Sequence, residues 1–255
     1  MRVVVALSTI PSREESVLRT IESLRQGNYK PDAIYVCLPE WYPRFKCAPK
    51  PGLAEAITKA GGTVLSCKDT GVFTKLLPVL DVEQDPLTLI ITGDDDATYT
   101  PMFIEGLLHG YNQFHCPVGY SGITYPETSL KIANTLSYFV FTGHGAPVEI
   151  LETSFGILIP RWAMFGFPAV KPYSLESEKC LYFSDDYFYS KFWDAKGIPK
   201  KLLCFDQIGR KDDDWSSIMK FNDGAQECAL SKDENNLSNF LKAGGKFQFV
   251  QQTLG

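Results

Sequence analysis

Three consecutive carboxylates, Asp94, Asp95 and Asp96, follow the apolar run Leu87-Thr88-Leu89-Ile90-Ile91-Thr92 and a single Gly93. Like charges this close repel one another unless a cation sits among them, and hard oxygen ligands of this kind suit Mg²⁺ or Mn²⁺ carrying phosphate oxygens. A solvated acidic turn is the plainer alternative. A second acidic pair, Asp185-Asp186, heads a helical pattern that stops at Gly197-Ile198-Pro199. A carboxylate there can take the proton of an attacking hydroxyl, or it can simply answer the dipole of the helix it opens. Two more polar groups sit where strands end: Thr9-Ile10-Pro11-Ser12-Arg13, and Lys68-Asp69-Thr70-Gly71 with Lys75 shortly after.

The elements that must carry these groups alternate regularly at first. Residues 2–8 read as a buried strand, and Ser12 reads as the cap of a helix running to about residue 26, with Glu15 at capping-box distance. Val17, Leu18, Ile21 and Leu24 form its core-facing stripe. Strands at 33–38 and 63–66 flank a helix at 53–60, a helix at 72–80 carries Lys75, and a fourth strand spans 86–92. This alternation predicts a doubly wound parallel sheet, and such sheets bind ligands at the carboxyl ends of their strands. A helix at 101–114 should follow the acidic turn directly. Beyond it the rhythm breaks: a short strand at 117–121, β-like runs within 131–141 and 150–159, a loop at 142–147, a helix at 187–196 capped by Ser184, and a polar tail from 206 with a helix at 237–243.

Composition narrows the partners. A net charge of −5 over 255 residues gives no general pull toward nucleic acid or an anionic membrane. The seven cysteines contain no C-x-x-C pair, so neither a zinc site nor a disulfide framework is indicated. Reduced thiols in the cytoplasm are the simpler account. The run Val3-Val4-Val5-Ala6-Leu7 is too short for a signal-peptide core, and no apolar run approaches the roughly 20 residues of a membrane span. Small molecules and glycans are the expected partners.

The set formed by Thr9, Pro11 and Arg13, by Asp69 to Lys75, by Asp94-Asp95-Asp96 and by the later Asp185-Asp186 resembles a GT-A glycosyltransferase with an Asp-x-Asp motif. It is similar to family-2-like enzymes, including small ones of bacteria and large DNA viruses, over about residues 1–205. The resemblance implies an α/β fold, a GT-A-type Rossmann-like sandwich whose central sheet is mostly parallel, with a smaller mixed β region in the second half. It implies one domain over 1–255: a nucleotide-binding half at 1–100, an acceptor-facing half at 101–205 and a C-terminal tail at 206–255. The implied reaction moves a sugar from a nucleotide-diphosphate sugar, a UDP-sugar being favoured, to a glycan hydroxyl with inversion.

Residue by residue, the resemblance implies that Thr9, Pro11 and Arg13 contact the nucleotide, that Asp69 holds the base or ribose, and that Lys75 lies near the diphosphate. Asp94 faces the ribose or sugar and Asp96 ligates Mn²⁺ or Mg²⁺; Asp94 is also a candidate metal ligand, and Asp95 stands ready to replace either neighbour. Asp185 or Asp186 matches the position of the catalytic base. A late metal-ligating His has no counterpart, because His109, His115 and His144 all precede the second Asp pair. His144, between two glycines, is the best placed of the three to meet a ligand. Trp162, Phe165 and Phe167 could stack on a sugar, although a core cluster is the simpler account for them and for Trp193. Three rival readings remain: a haloacid dehalogenase-like phosphatase using Asp94 and Asp96, since Asp94 to Thr98 fits D-x-D-x-T; a nucleotidyltransferase, weakened by the want of a Gly-rich basic loop; and a non-catalytic sugar-nucleotide-binding domain.

Overall fold

The structure is a computed structural model and describes residues 1–123, 144–169, 185–203 and 219–222. The expected runs within 131–141, the Ser184 cap and the helix at 237–243 lie outside the described residues, as does most of the tail. Within them, β1 (Val3–Ser8), β2 (Ala33–Pro39), β3 (Thr63–Cys67) and β4 (Leu89–Thr92) alternate with α1 (Glu14–Gln26), α2 (Leu53–Ala60) and α3 (Leu77–Val82). After β4 come β5 (Ala97–Tyr99), α4 (Phe103–Phe114), β6 (Val118–Gly119), β7 (Gly122–Ile123), β8 (Ile150–Leu151), β9 (Ile157–Pro160), α5 (Asp185–Ala195), β10 (Lys201–Leu202) and β11 (Met219–Phe221).

Among the described residues, seven strands form one sheet in the order β10-β6-β9-β4-β1-β2-β3. All neighbouring pairs are parallel except those of β9, which runs antiparallel to both β4 and β6. Strands from both halves of the chain therefore share a single sheet. The period-2 alternation of β1 explains why Val3 to Leu7 are all apolar: Val3, Val5 and Leu7 pack with α1, α2 and α4, while Val4 and Ala6 pack with α3 and α5. A strand covered on both faces has no polar side to show.

Several expectations need correction. Helix α1 is entered through a 3-10 turn, Pro11–Arg13, so its N-cap is Arg13 and not Ser12. The pyrrolidine of Pro11 suits the first position of such a turn, and the helix begins only after it. The stretch expected as one helix at 72–80 is a 3-10 turn, Gly71–Lys75, followed by α3, which leaves Lys75 at the turn's end. The acidic turn leads into β5 before α4, because β5 finds an antiparallel partner in the distant β11. The run at 150–159 is broken by a 3-10 turn, Thr153–Phe155. Gly156 closes that turn at φ 85°, where a Cβ would come within 2.5 Å of the Phe103 ring.

Candidate active site

The C-terminal ends of β1 and β4 are adjacent, so the turns that leave them meet. Thr9 Oγ1 donates to Asp95 Oδ2 at 2.7 Å. The Arg13 guanidinium reaches Asp95 Oδ1 at 3.2 Å and Asp96 Oδ2 at 3.0 Å. Asp94 points the other way, with Oδ1 accepting from Lys75 Nζ at 2.9 Å. Its own N–H donates to Tyr99 Oη at 2.7 Å. Gly93 permits that bond: a Cβ there would lie 2.9 Å from the same phenol oxygen and 3.0 Å from Leu7.

Helix α1 supports the turn with a buried polar stripe, Ser16, Thr20 and Ser23. The Thr20 hydroxyl lies 2.7 Å from the Ala97 carbonyl and 3.0 Å from that of Asp95, and Ser23 Oγ accepts the Tyr99 N–H at 3.1 Å. Sequence reading missed this stripe. Its signal was present in three small polar residues spaced i, i+4 and i+7 beside the apolar stripe.

Lys75 joins the two acidic groups. Its ammonium lies 3.6 Å from Asp185 Oδ2 and 3.4 Å from Thr153 Oγ1. Thr153 in turn donates its hydroxyl to Asp185 Oδ2 at 3.2 Å and its N–H to Asp186 Oδ1 at 2.7 Å. Thr153 was not singled out from sequence, since nothing in the run at 150–159 marks a 3-10 turn. Asp185 is 5 % exposed, whereas Asp186 is half-buried and therefore the more accessible of the two.

Burial sets the proton affinities here. It pushes the Lys75 ammonium down, but the Asp185 and Asp94 carboxylates outweigh it and hold the amine charged. Burial pushes both Asp185 and Asp186 above the ordinary carboxylate range, against the pull of Lys75 and Thr153. Asp96 is pushed up to about 7, first by burial and then by the charge of Asp94, with Arg13 opposing.

Among the described residues, Asp96 Oδ1 is buried without a hydrogen-bond partner. A buried carboxylate oxygen left unpaired and proton-seeking is what a cation at this turn would satisfy. Among the described residues no group of three or more His, Cys, Asp or Glu side chains is arranged to hold a metal ion by itself. The protein's share would be the free oxygen of Asp96, with Asp94, whose Oδ1 is held by Lys75, as the second candidate. One or two carboxylates with phosphate oxygens and water completing the shell is the donor set that Mg²⁺ accepts, so these residues fit a diphosphate-bound divalent ion.

Not every expected site residue joins this cluster. Asp69 lies at the end of β3, two strands from β1, where Oδ1 accepts the Gly71 N–H at 2.8 Å and the Thr74 hydroxyl at 3.4 Å. Arg44 is near enough to pull its raised carboxyl back down in part. Pro11 sits half-buried in the 3-10 turn beside Arg13. His144 shares a 2.9 Å hydrogen bond with Gln113 in the last turn of α4, and the next residue, Gly145, donates its N–H to the Leu202 carbonyl of the edge strand β10. His115 takes the left-handed position that ends α4. Phe167 and Trp193 belong to the core around Tyr189 and Phe192, while Phe165 is 49 % exposed beneath the Arg161 guanidinium. No helix among the described residues is long and apolar enough to cross a membrane.

No protein-family model matches the chain, and no curated protein matches it. Solved structures do match its fold. S. aureus TarS 1–349 in complex with UDP-GlcNAc superposes with a TM-score of 0.54 at 11 % identity, covering 80 % of this chain and 56 % of that one. Another structure of the same fragment gives 0.56 at 11 % identity, covering 87 % and 60 %. A mycobacterial protein gives 0.52 at 13 % identity, covering 79 % and 64 %. This chain thus spans less than two thirds of each. The fold is the GT-A type of Rossmann-like α/β sandwich, with its mostly parallel sheet interrupted by one antiparallel strand.

Proposed function

We propose that the protein is a metal-dependent glycosyltransferase that moves a sugar from a nucleotide-diphosphate donor to a hydroxyl of a glycan acceptor, with inversion. The observation that carries this reading is the pairing of two carboxylate clusters across one buried lysine, at the strand ends where a GT-A fold receives its donor. One cluster has an unpartnered buried oxygen, and the other has a half-buried aspartate, Asp186, of raised proton affinity.

In this reading Asp96, with Asp94, holds Mn²⁺ or Mg²⁺, which when bound would neutralise charge on the diphosphate. Arg13 fixes Asp95 and Asp96 in place, and Thr9 holds Asp95 from the other side. Pro11 and Asp69 face the nucleoside from the turns after β1 and β3. Lys75 is the buried cation beside the leaving diphosphate. Asp186 is the base: it takes the proton of the acceptor hydroxyl as that oxygen bonds to the anomeric carbon and the bond to the diphosphate oxygen breaks. Asp185, buried against Lys75 and Thr153, orients the pair. This choice rests on access, since a base must meet an acceptor arriving from solvent. The GT-A fold favours transfer over the phosphatase reading of Asp94 and Asp96.

UDP-sugars are the donors to test first, because TarS of this fold was crystallised with UDP-GlcNAc. Calorimetry with UDP-, GDP-, dTDP- and CMP-sugars, each with and without Mn²⁺, should give one nucleotide class whose binding needs the ion. Asp96→Ala should abolish that metal-dependent binding while thermal unfolding stays cooperative. Unchanged donor affinity in Mn²⁺ would remove the cation assignment, and a response only to beryllium fluoride with Mg²⁺ would favour the phosphatase.

A further inference from the structure

Three successive carbonyls leave the acidic turn, and each has a hydrogen-bonding group at hand. Thr20 on α1 stands beside the Asp95 and Ala97 carbonyls. The one between them, Asp96, accepts the N–H of Asn222 at 2.7 Å. Asn222 directly follows β11, whose antiparallel register on β5 (Phe221 opposite Ala97, Lys220 opposite Thr98) brings it level with Asp96. Its side chain bonds at both its oxygen and its nitrogen there. Thr98 Oγ1 donates to Asn222 Oδ1 at 2.7 Å, and Asn222 Nδ2 donates to Ser16 Oγ at 2.8 Å.

One residue from far along the chain therefore ties together the acidic turn, β5 and the first turns of α1. Asp96 is the carboxylate with the free buried oxygen, and the direction of that oxygen follows from where its main chain is held. Groups that orient a metal-ligating side chain matter to affinity nearly as much as the ligand. We infer that Asn222 is a positioning residue for the cation-bearing turn: it holds the Asp96 main chain so that the carboxylate presents its free oxygen to the ion and diphosphate. The inference rests on the reading of Asp96 as a cation ligand.

The test is calorimetric UDP binding to the full chain, in Mn²⁺ and in EDTA, for the wild type, Asn222→Ala, Ser16→Ala and Asp96→Ala, with thermal unfolding of each. Asn222→Ala should weaken binding in Mn²⁺ by about 10- to 100-fold and leave binding in EDTA unchanged. Ser16→Ala, which removes a single bond from Asn222, should show a smaller loss of the same kind, and it carries the test if Asn222→Ala does not fold. Equal losses with and without Mn²⁺ would mark a merely structural role and overturn the inference. So would unchanged Mn²⁺-dependent affinity in both variants while Asp96→Ala abolishes it. If Asp96→Ala itself binds UDP normally in Mn²⁺, the cation reading fails, and the role of Asn222 fails with it.

Discussion

The acidic turn after β4 and the acidic pair that opens α5 share Lys75, yet they are held by different means. The turn is fixed from several independent directions: Thr9 and Arg13 after β1, the polar stripe of α1, the Tyr99 phenol and Asn222. The pair depends on Thr153 and Lys75, and Thr153 belongs to a 3-10 turn of three residues. The difference suits the chemistry proposed for each. A diphosphate needs a preformed charged seat, whereas a base must reach an acceptor that comes and goes. The donor side should therefore lose affinity by degrees as single supports are removed, and the acceptor side should show the loss of a support in turnover.

The sharpest break in that comparison is Asp186→Asn. With the carboxylate gone, turnover should fall by about 10²–10⁴-fold while UDP affinity in Mn²⁺ holds. The wild-type pH profile should show the same group. Asp186 faces Asp185, Glu152, Lys75 and the Thr153 N–H, and burial raises its proton affinity more than Lys75 and Thr153 lower it. A base works only when deprotonated. The turnover number should therefore fall as pH drops through a value above the ordinary carboxylate range of about 4, and what activity remains in Asp186→Asn should not show that limb. If Asp186→Asn turns over normally and Asp185→Asn does not, the two residues exchange roles.

Lys75→Met breaks the join itself. It strands Asp185 in the core with only Thr153 and leaves Asp94 to water, because the lysine serves both. Removing one partner from a buried pair costs about 3–5 kcal/mol, and the 23 % exposure of the Asp94 side chain argues for the lower end. Urea unfolding measures this directly. A loss below about 1 kcal/mol would mean that solvent, not Lys75, stabilises the two carboxylates.

The same contrast separates what the sequence disclosed from what it hid. The proposed seat of the donor is legible because it is local: an apolar strand, a glycine and three aspartates, within a regular strand–helix rhythm that predicts which strand ends lie together. The four parallel strands fall where their patterns place them, to within a residue or two at most ends. Strand β5 was illegible, since a stretch of three residues becomes a strand only through β11, which no periodicity connects to it. The antiparallel course of β9 and the role of Thr153 were hidden for a related reason. Nothing in Thr153-Ser154-Phe155-Gly156 distinguishes a continued strand from a 3-10 turn until Gly156 takes its left-handed φ against Phe103. The Asp185-Asp186 pair is visible, but the choice proposed between them rests on burial, which the sequence does not carry.

Thr153→Val tests the acceptor side at its own support and should have the smallest effect of the three. Valine keeps the shape and the backbone N–H, so Asp186 retains its 2.7 Å bond. It loses the hydroxyl that donates to Asp185 and accepts from Lys75. A buried acceptor deprived of one partner costs about 1–3 kcal/mol, and Asp185 keeps Lys75, so the lower end is expected in urea unfolding. Turnover should fall more than donor affinity, since the acidic turn does not touch Thr153 except through Lys75. If donor affinity in Mn²⁺ falls as far as turnover, the two clusters act as one site and the independence argued for the donor seat is lost. If stability falls while turnover holds, Thr153 supports the fold of α5 and Asp186 finds its direction without Asp185.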